Sequence, residues 1–316
     1  MKKRIQWIDV AKGLLIILVI VGHAHVNSIV DLIIYSFHMA AFFVITGYTF
    51  HANSNWKSFL LKQIKSLLIP YYAFAALLLI FDAIKALVLH TAEFNLLSGL
   101  LSVFFPISGL PTTTVYGLWF LPCLFLAKII MFFGLKKRFV FIIVLPICVI
   151  IHFISGLVSV ISLLPFTVLF IATGFIFRKI EHTLNRVISL LVSAVVFIFS
   201  IVVNFYFYPG TKDLSSLNLG FIPLYIISSL FGTYLIISLA KVLEKMNLIA
   251  NIGKNSLYYY GLHYEILSGF TFILPVLFGG GIITSLLSAL GTIIVLWIVN
   301  LLRVIICRKI WGKKNV

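Results

Sequence analysis

Two ionisable side chains stand on one face of the first apolar segment. Lys12 and His23 are eleven residues apart, which in an α-helix is about 20° past three full turns and a rise of about 16 Å. Asp9 precedes Lys12 by three residues and can pair with it on that face. Ionisable groups inside an apolar segment are costly, so Lys12 and His23 mark a candidate functional site. The structural alternative is that Lys12 extends to the lipid headgroups while His23 bonds a neighbouring carbonyl.

Further polar groups lie within later apolar segments. His38 falls in the second segment, antiparallel to the first, so we expect it at a depth similar to that of His23. His263 and Glu265 lie about two turns into a late segment that begins with Tyr258–Tyr260. Ionisable groups inside hydrocarbon are costly and mark candidate functional sites. For His38, His263 and Glu265, a direct role and structural pairing both stay open.

The composition of the chain indicates what kind of secondary structure carries these residues. The chain has 316 residues, of which 62% are hydrophobic, 15% aromatic and 10% charged. Too few polar residues are present to cover a soluble surface, so a soluble enzyme, a disordered chain and a secreted disulfide scaffold are excluded. The composition predicts an all-α integral membrane protein, a single domain over residues 1–316. We expect it in the inner or plasma membrane.

Ten segments are long and apolar enough to cross a bilayer, since a span needs about 20 such residues. Residues 94–107 are apolar but short, and we expect them to be interfacial or re-entrant. The predicted spans are 9–27, 31–50, 67–90, 115–133, 139–155, 158–177, 187–207, 219–241, 256–278 and 282–306.

The positive charge supports this arrangement. The chain carries 24 Lys+Arg against 8 Asp+Glu, a net charge of +16. If both termini are cytoplasmic, all the cations except Lys85 and Lys212 fall on the cytoplasmic side of the ten spans. The charge therefore indicates membrane topology, and we expect no nucleic-acid partner.

Several ordered motifs resemble the acyltransferase-3 family of integral membrane acyltransferases. The resemblance covers essentially the whole chain and is closest to the branch of fucose and exopolysaccharide O-acetylases. One departure is Thr46, where the family usually has Ser before Gly47. The motifs are Asp9-x-x-Lys12-Gly13, Gly22-His23, Phe37-His38-Met39, Lys62-x-x-Lys65, Leu118-Trp119-Phe120-Leu121 and the run from Asn255 to His263.

The resemblance implies transfer of an acyl group, most simply acetyl, from cytoplasmic acyl-CoA to a hydroxyl of an extracytoplasmic or lipid-linked carbohydrate. His23 would be the general base, and His38 would donate to the thioester oxygen. Trp119 and Glu265 would line the substrate pocket. The residues implied to bind CoA, chiefly through its phosphates, are Lys12, Lys62, Lys65, Arg178, Lys254 and His263.

Other interpretations of the residues and of the function stay open. Lys62 and Lys65 can equally be ordinary cytoplasmic-side cations, and succinyl is the main alternative to acetyl. A transporter or flippase of a polysaccharide precursor or small metabolite also suits ten spans, although we find no repeat between the two halves of the chain. No His, Cys, Asp or Glu residues have convincing metal-ligand spacing, so no metal is predicted. The residues specify neither the acceptor nor the oligomeric state.

Overall fold

The computed structural model describes residues 5–52, 55–89, 95–104 and 114–311. These residues form helices and no β-strand, with one isolated bridge between Asp213 and Asn218. The all-α fold expected from composition is therefore confirmed for the part of the chain that the structure describes. The helices are α1 (Gln6–His23), α2 (Ser28–Tyr35), α3 (His38–Thr49), α4 (Trp56–Gln63), α5 (Ile69–Leu89), α6 (Leu96–Phe104), α7 (Phe120–Lys136), α8 (Phe139–Ser155), α9 (Val160–Ile180), α10 (Arg186–Phe207), α11 (Ile222–Val242), α12 (Asn247–Lys254), α13 (Ser256–Phe278) and α14 (Ile282–Trp311).

Eight helical stretches in these residues are long and apolar enough to cross a membrane. Helices α7 and α8, in the fourth and fifth predicted spans, have 17 residues each, about 25 Å at the α-helical rise. The count of ten spans and the cytoplasmic termini stay predictions. Helix α6 has nine residues and is too short to span; residues 94 and 105–107 of the segment expected to be interfacial or re-entrant lie outside the described residues.

Two predicted spans differ locally from simple helices. The second consists of α2 and α3, separated at Ser36 and Phe37, where the Ser36 hydroxyl donates to the Ile33 carbonyl at 2.7 Å. The third begins earlier than expected, because α4 runs through a π-helix, Ile64–Leu68, directly into α5. Single π-helical turns within α-helices are frequent at functional sites.

Helix α10 shows an inverted pattern of burial. Its buried residues are Ser193, Ser200 and Asn204, whereas Ile198 and Phe199 are 61% and 65% exposed. In a bilayer, small and polar residues pack between helices while apolar side chains face lipid. Helix α14 is built in the same way, with Ser288 and Thr292 buried and their hydroxyls bonded to the carbonyl four residues back at 2.8 Å.

The chain divides into two compact units. Unit 1 comprises Met1–His38, Val192–Thr211 and Phe231–Val316, and unit 2 comprises Met39–Leu191 and Lys212–Leu230. In unit 1, α1 packs against α12, α13 and α14. In unit 2, α7 packs against α8 and α9. The single domain expected from sequence stays a prediction.

Close backbone approach holds the central helices of each unit. In unit 1, a Cβ atom on Gly13 would collide with the carbonyl of Ile249, and one on Gly253 would collide with the carbonyl of Asp9. Helices α1 and α12 therefore touch through their main chains. In unit 2, Gly47 of α3 and Gly174 of α9 make the equivalent contact.

Candidate functional site

His23 is the last residue of α1 and is half-buried. Its ring lies 5.2 Å from that of His263 on α13 and 6.1 Å from that of Tyr264, centroid to centroid. The Tyr35 hydroxyl is 3.2 Å from His23 Nδ1. The fold of unit 1 thus surrounds the sequence-predicted base with aromatic and imidazole rings.

His38 joins the same group of rings. It is buried, and its ring makes an edge contact with Tyr35 at 5.0 Å between centroids. Tyr35 therefore touches both His23 and His38. We call His23, Tyr35, His38, His263 and Tyr264 the histidine cluster.

Hydrogen bonds to the main chain decide which nitrogen carries the proton in two of the three imidazoles. His38 Nδ1 is 2.8 Å from the Ile34 carbonyl, and His263 Nδ1 is 2.8 Å from the Tyr260 carbonyl. A carbonyl oxygen only accepts, so both Nδ1 atoms carry hydrogen and donate. In the neutral rings the lone pair then lies on Nε2, the nitrogen suited to accept a proton or a hydrogen bond.

The other end of α1 carries Asp9 and Lys12. Asp9 is 3% exposed and Lys12 is half-buried. Because Gly253 of α12 lies directly against the main chain of Asp9 and Gly13, the next residue, Lys254, follows beside this turn of α1. The main-chain contact between α1 and α12 thus brings two of the sequence-predicted phosphate ligands to one end of unit 1.

An arginine that sequence reasoning had not selected lies near this end. The Arg303 guanidinium is 3.6 Å from the centroid of the Tyr258 ring and donates to Asn255 Oδ1 at 2.8 Å. Asn255 in turn donates to the Asn251 carbonyl at 2.9 Å. These contacts fasten α14 to the start of α13, where the motif from Asn255 to His263 begins.

In unit 2, an open surface groove of about 780 Å³ is lined by Lys62 and Lys65, which were also predicted to bind phosphate. Its three lysines are exposed, and none of their ammonium groups has a hydrogen-bond or ion-pair partner among the described residues. We call this surface the lysine groove. Its lining residues are Asn55, Lys57, Ser58, Leu61, Lys62, Lys65 and Ser66.

Arg178 has a structural task in unit 2. One of its terminal nitrogens donates to the carbonyls of Tyr48 and Phe50 at 3.1 and 2.8 Å. These carbonyls lie at the C-terminal end of α3, where a helix leaves its last acceptors unpaired. The Tyr48 hydroxyl donates to Glu181, immediately after α9. Arg178, predicted to bind phosphate, therefore also joins α9 to the end of α3.

The remaining predicted residues have packed environments. Trp119 is 5% exposed in unit 2 and contacts Phe43 and Phe120, with centroids 6.3 and 6.2 Å away. Glu265 is half-buried on α13, two residues after His263. Within the described residues, no group of three or more His, Cys, Asp or Glu side chains has an arrangement that could hold a metal ion.

Sequence reasoning missed Tyr35, Tyr264 and Lys57 as members of these sites. For Tyr35 a signal was available, because residues three apart share a helix face and Tyr35 precedes His38 by three. Lys57 precedes Lys62 on α4 and could have been grouped with it. Tyr264 follows a predicted site residue directly, but its contact with His23 depends on long-range packing.

One of three comparisons with known proteins found a match. The model of the acyltransferase-3 family, described as an acyltransferase domain, matches residues 5–301. Searches of curated proteins and of solved structures gave no significant match. The family match includes both units and all residues of the histidine cluster. The chain therefore belongs to the acyltransferase-3 family of membrane acyltransferases.

Proposed function

We propose that the chain is an O-acyltransferase that moves an acetyl group from acetyl-CoA to a hydroxyl of an extracytoplasmic or lipid-linked carbohydrate. The observation that carries the proposal is the histidine cluster, which places two further imidazoles and a tyrosine hydroxyl around His23 in a member of an acyltransferase family. The branch that acetylates fucose or exopolysaccharide is part of this proposal and rests on the motifs alone.

His23 is the proposed general base. Its Nδ1 is paired with the Tyr35 hydroxyl at 3.2 Å, so the ring is held in one orientation and Nε2 is left for the substrate. His23 takes the proton of the acceptor hydroxyl while the hydroxyl oxygen bonds to the acyl carbon. The carbon–sulfur bond then breaks, its electron pair goes to sulfur, and the thiolate takes the proton from His23.

The oxygen of the thioester gains negative charge during this step and needs a hydrogen-bond donor. His38 is the proposed donor. Because Nδ1 of its neutral ring already donates to Ile34, its Nε2 can donate to the substrate only when the ring is protonated. Tyr264, whose ring lies 6.1 Å from that of His23, borders the same space.

The binding site of the acyl donor, acetyl-CoA, is proposed from the positions of the cations. Lys12 and His23 are separated along α1 by a rise of about 16 Å, a distance that suits the extended pantetheine arm of CoA. Lys12 and Lys254 lie at the end of unit 1 remote from His23 along α1. In unit 2, the lysine groove presents three ammonium groups and no carboxylate, which favours phosphate.

The first prediction concerns His23→Ala. In proteoliposomes supplied with acetyl-CoA and a panel of methyl glycosides, the rate of CoA release should fall by roughly 10²–10⁴-fold, the usual contribution of general base catalysis. Release is followed with a thiol reagent, and acetylated product is identified by mass. The matched control is His152→Ala on α8 of unit 2, which should keep wild-type activity.

Wild-type turnover in His23→Ala, with the protein inserted and helical by circular dichroism, would contradict the assignment of the base. Sugar flux across the liposome without acyl-CoA would instead favour the transporter alternative. Neither result depends on knowing the natural acceptor, since water and the glycosides both supply hydroxyl groups.

A further inference from the structure

The mechanism proposed above assigns no role to Nε2 of His263. The residue is 4% exposed, and its Nδ1 donates to the Tyr260 carbonyl of its own helix at 2.8 Å. Its Nε2 is buried and has no hydrogen-bond partner among the described residues. A buried polar atom without a partner is costly, and a bound substrate group can supply the missing hydrogen bond.

The chemistry of that ligand follows from the hydrogen bond to Tyr260. Since Nδ1 carries the hydrogen of the neutral ring, Nε2 is an acceptor only. The ligand must therefore donate, and a hydroxyl group does so without bringing charge into the bundle. The ring of His23 lies 5.2 Å away, so this hydroxyl is bound next to the site of acyl transfer.

We propose that His263 Nε2 binds the hydroxyl adjacent to the one that is acylated, so that the preferred acceptor is a vicinal diol. The inference rests on the proposed function, because it describes the acceptor of the same reaction. His263 receives a hydrogen bond and exchanges no proton with the substrate, while His23 remains the base. The acceptor is thereby selected by two imidazoles that contact two neighbouring oxygens.

The spacing of the two rings fits such a diol. Adjacent hydroxyl oxygens on a sugar ring are about one hydrogen-bond length apart. Two imidazoles with centroids 5.2 Å apart can accept from one oxygen each when both Nε2 atoms face the same side of the pair. The two rings are tilted by 38° and are not stacked flat on each other.

This arrangement accounts for selection against alcohols with a single hydroxyl. A site that is built to hydrogen-bond a substrate hydroxyl discriminates strongly against an analogue that lacks it, because the buried acceptor is then left unpaired. The orphaned Nε2 would impose that penalty in this site.

The experiment compares methyl hexopyranosides with analogues that lack one ring hydroxyl at each position in turn. In proteoliposomes with acetyl-CoA, the wild-type protein should acetylate the diol about tenfold faster or more than the matched deoxy compound, the ratio expected for one buried hydrogen bond. His263→Phe, which fills the space without an acceptor, should bring the ratio close to one. His263→Gln should retain part of it, because its amide oxygen accepts.

The KM for acetyl-CoA should be the same in all these proteins, and His152→Gln serves as the control substitution. An unchanged diol preference in His263→Phe would overturn the inference alone. Complete loss of acetyl transfer in both His263 variants would also overturn the inference. If His263 only binds the adjacent hydroxyl, both variants should still acetylate the deoxy analogue. If no glycoside accelerates CoA release by the wild-type protein, the proposed function itself fails, and the inference falls with it.

Discussion

Individual cations of the chain have different surroundings. The Arg178 guanidinium donates to two main-chain carbonyls at the end of α3, and Arg303 stacks on Tyr258. Lys62 and Lys65, in contrast, are exposed in the lysine groove, and their ammonium groups make no ion pair or hydrogen bond within the described residues. Arg178 and Arg303 already use their guanidinium groups in contacts within the protein. The ammonium groups of the lysine groove are not used in this way, so they are the cations best suited to bind an external anion.

The second prediction tests this groove with the double variant Lys62→Gln and Lys65→Gln. The KM for acetyl-CoA should rise about tenfold, the effect of losing roughly 1.4 kcal/mol of phosphate binding, while kcat changes little because the reacting atoms are not touched. Steady-state CoA release at varied acetyl-CoA measures both constants.

The matched control is Lys245→Gln, which removes an exposed cation that is also predicted to be cytoplasmic. The rise in KM should shrink at high salt, because exposed charges are screened. An unchanged KM in the double variant would show that these lysines serve only topology.

At the scale of helices, main-chain contact sets the position of the residues that carry chemistry. Helix α1 touches α12 through Gly13 and Gly253, and this contact places Lys254 beside the turn that carries Lys12. Close approach of this kind is typical of membrane helices, where small residues at the interface let backbones pack. The Gly13 that follows Lys12 in the motif is therefore explained by packing.

The third prediction concerns Gly253→Ala. The added Cβ would collide with the Asp9 carbonyl, so the variant should be less stable by roughly 1–3 kcal/mol, as expected for overpacking. Thermal unfolding in detergent, followed by circular dichroism, measures the change. Acyl transfer at low temperature should also fall, because α1 carries both Lys12 and His23.

The control for that substitution is Gly269→Ala on α13 of the same unit. A Cβ there meets no atom within 4 Å, and Ala is a better helix former than Gly. Its unfolding temperature should be equal to or above that of the wild type. Equal unfolding temperatures for Gly253→Ala and the wild type would contradict the tight α1–α12 contact.

The positions of the helices were easier to predict from the sequence than the local irregularities within them. Apolar runs of the right length predicted where α1, α10 and α11 lie, because burial of twenty residues in lipid outweighs local preferences. The break between α2 and α3 at Ser36 and the π-helix before α5 were not predicted. Such local departures depend on which neighbour accepts a hydroxyl or fills a turn, and a single sequence does not show that neighbour.

At the scale of the whole molecule, the distribution of Lys and Arg residues predicts the membrane topology. Helices α7 and α8 have 17 residues each and are joined at Lys137 and Arg138. If both cross the bilayer, Lys137 is cytoplasmic, as the distribution of cations predicts. If neither crosses, the protein has eight spans and Lys137 lies on the opposite side.

The fourth prediction is the side on which two introduced cysteines react. In a background where Cys123, Cys148 and Cys307 are changed to Ala, Lys137→Cys should react with an impermeant maleimide only after cells are permeabilised. Ser216→Cys, in the loop between α10 and α11, should react in intact cells with either eight or ten spans. Labelling of Lys137→Cys in intact cells would contradict the ten-span topology.

The sequence by itself determined that the chain resides in a membrane, that it is helical, and that Lys12 and His23 share one helix face. These properties follow from composition and from the fixed geometry of the α-helix, so they need no knowledge of neighbours. The motifs also sufficed to identify the family that the match over residues 5–301 established.

Only the tertiary structure decided what surrounds His23. That His263 binds CoA stays a prediction. Its ring lies against His23, and its Nε2 has no hydrogen-bond partner among the described residues. This contact joins helices that are distant in the chain. It depends on side-chain packing and on steric contact between backbones, as at Gly253, and such contacts have no periodic signature in a sequence.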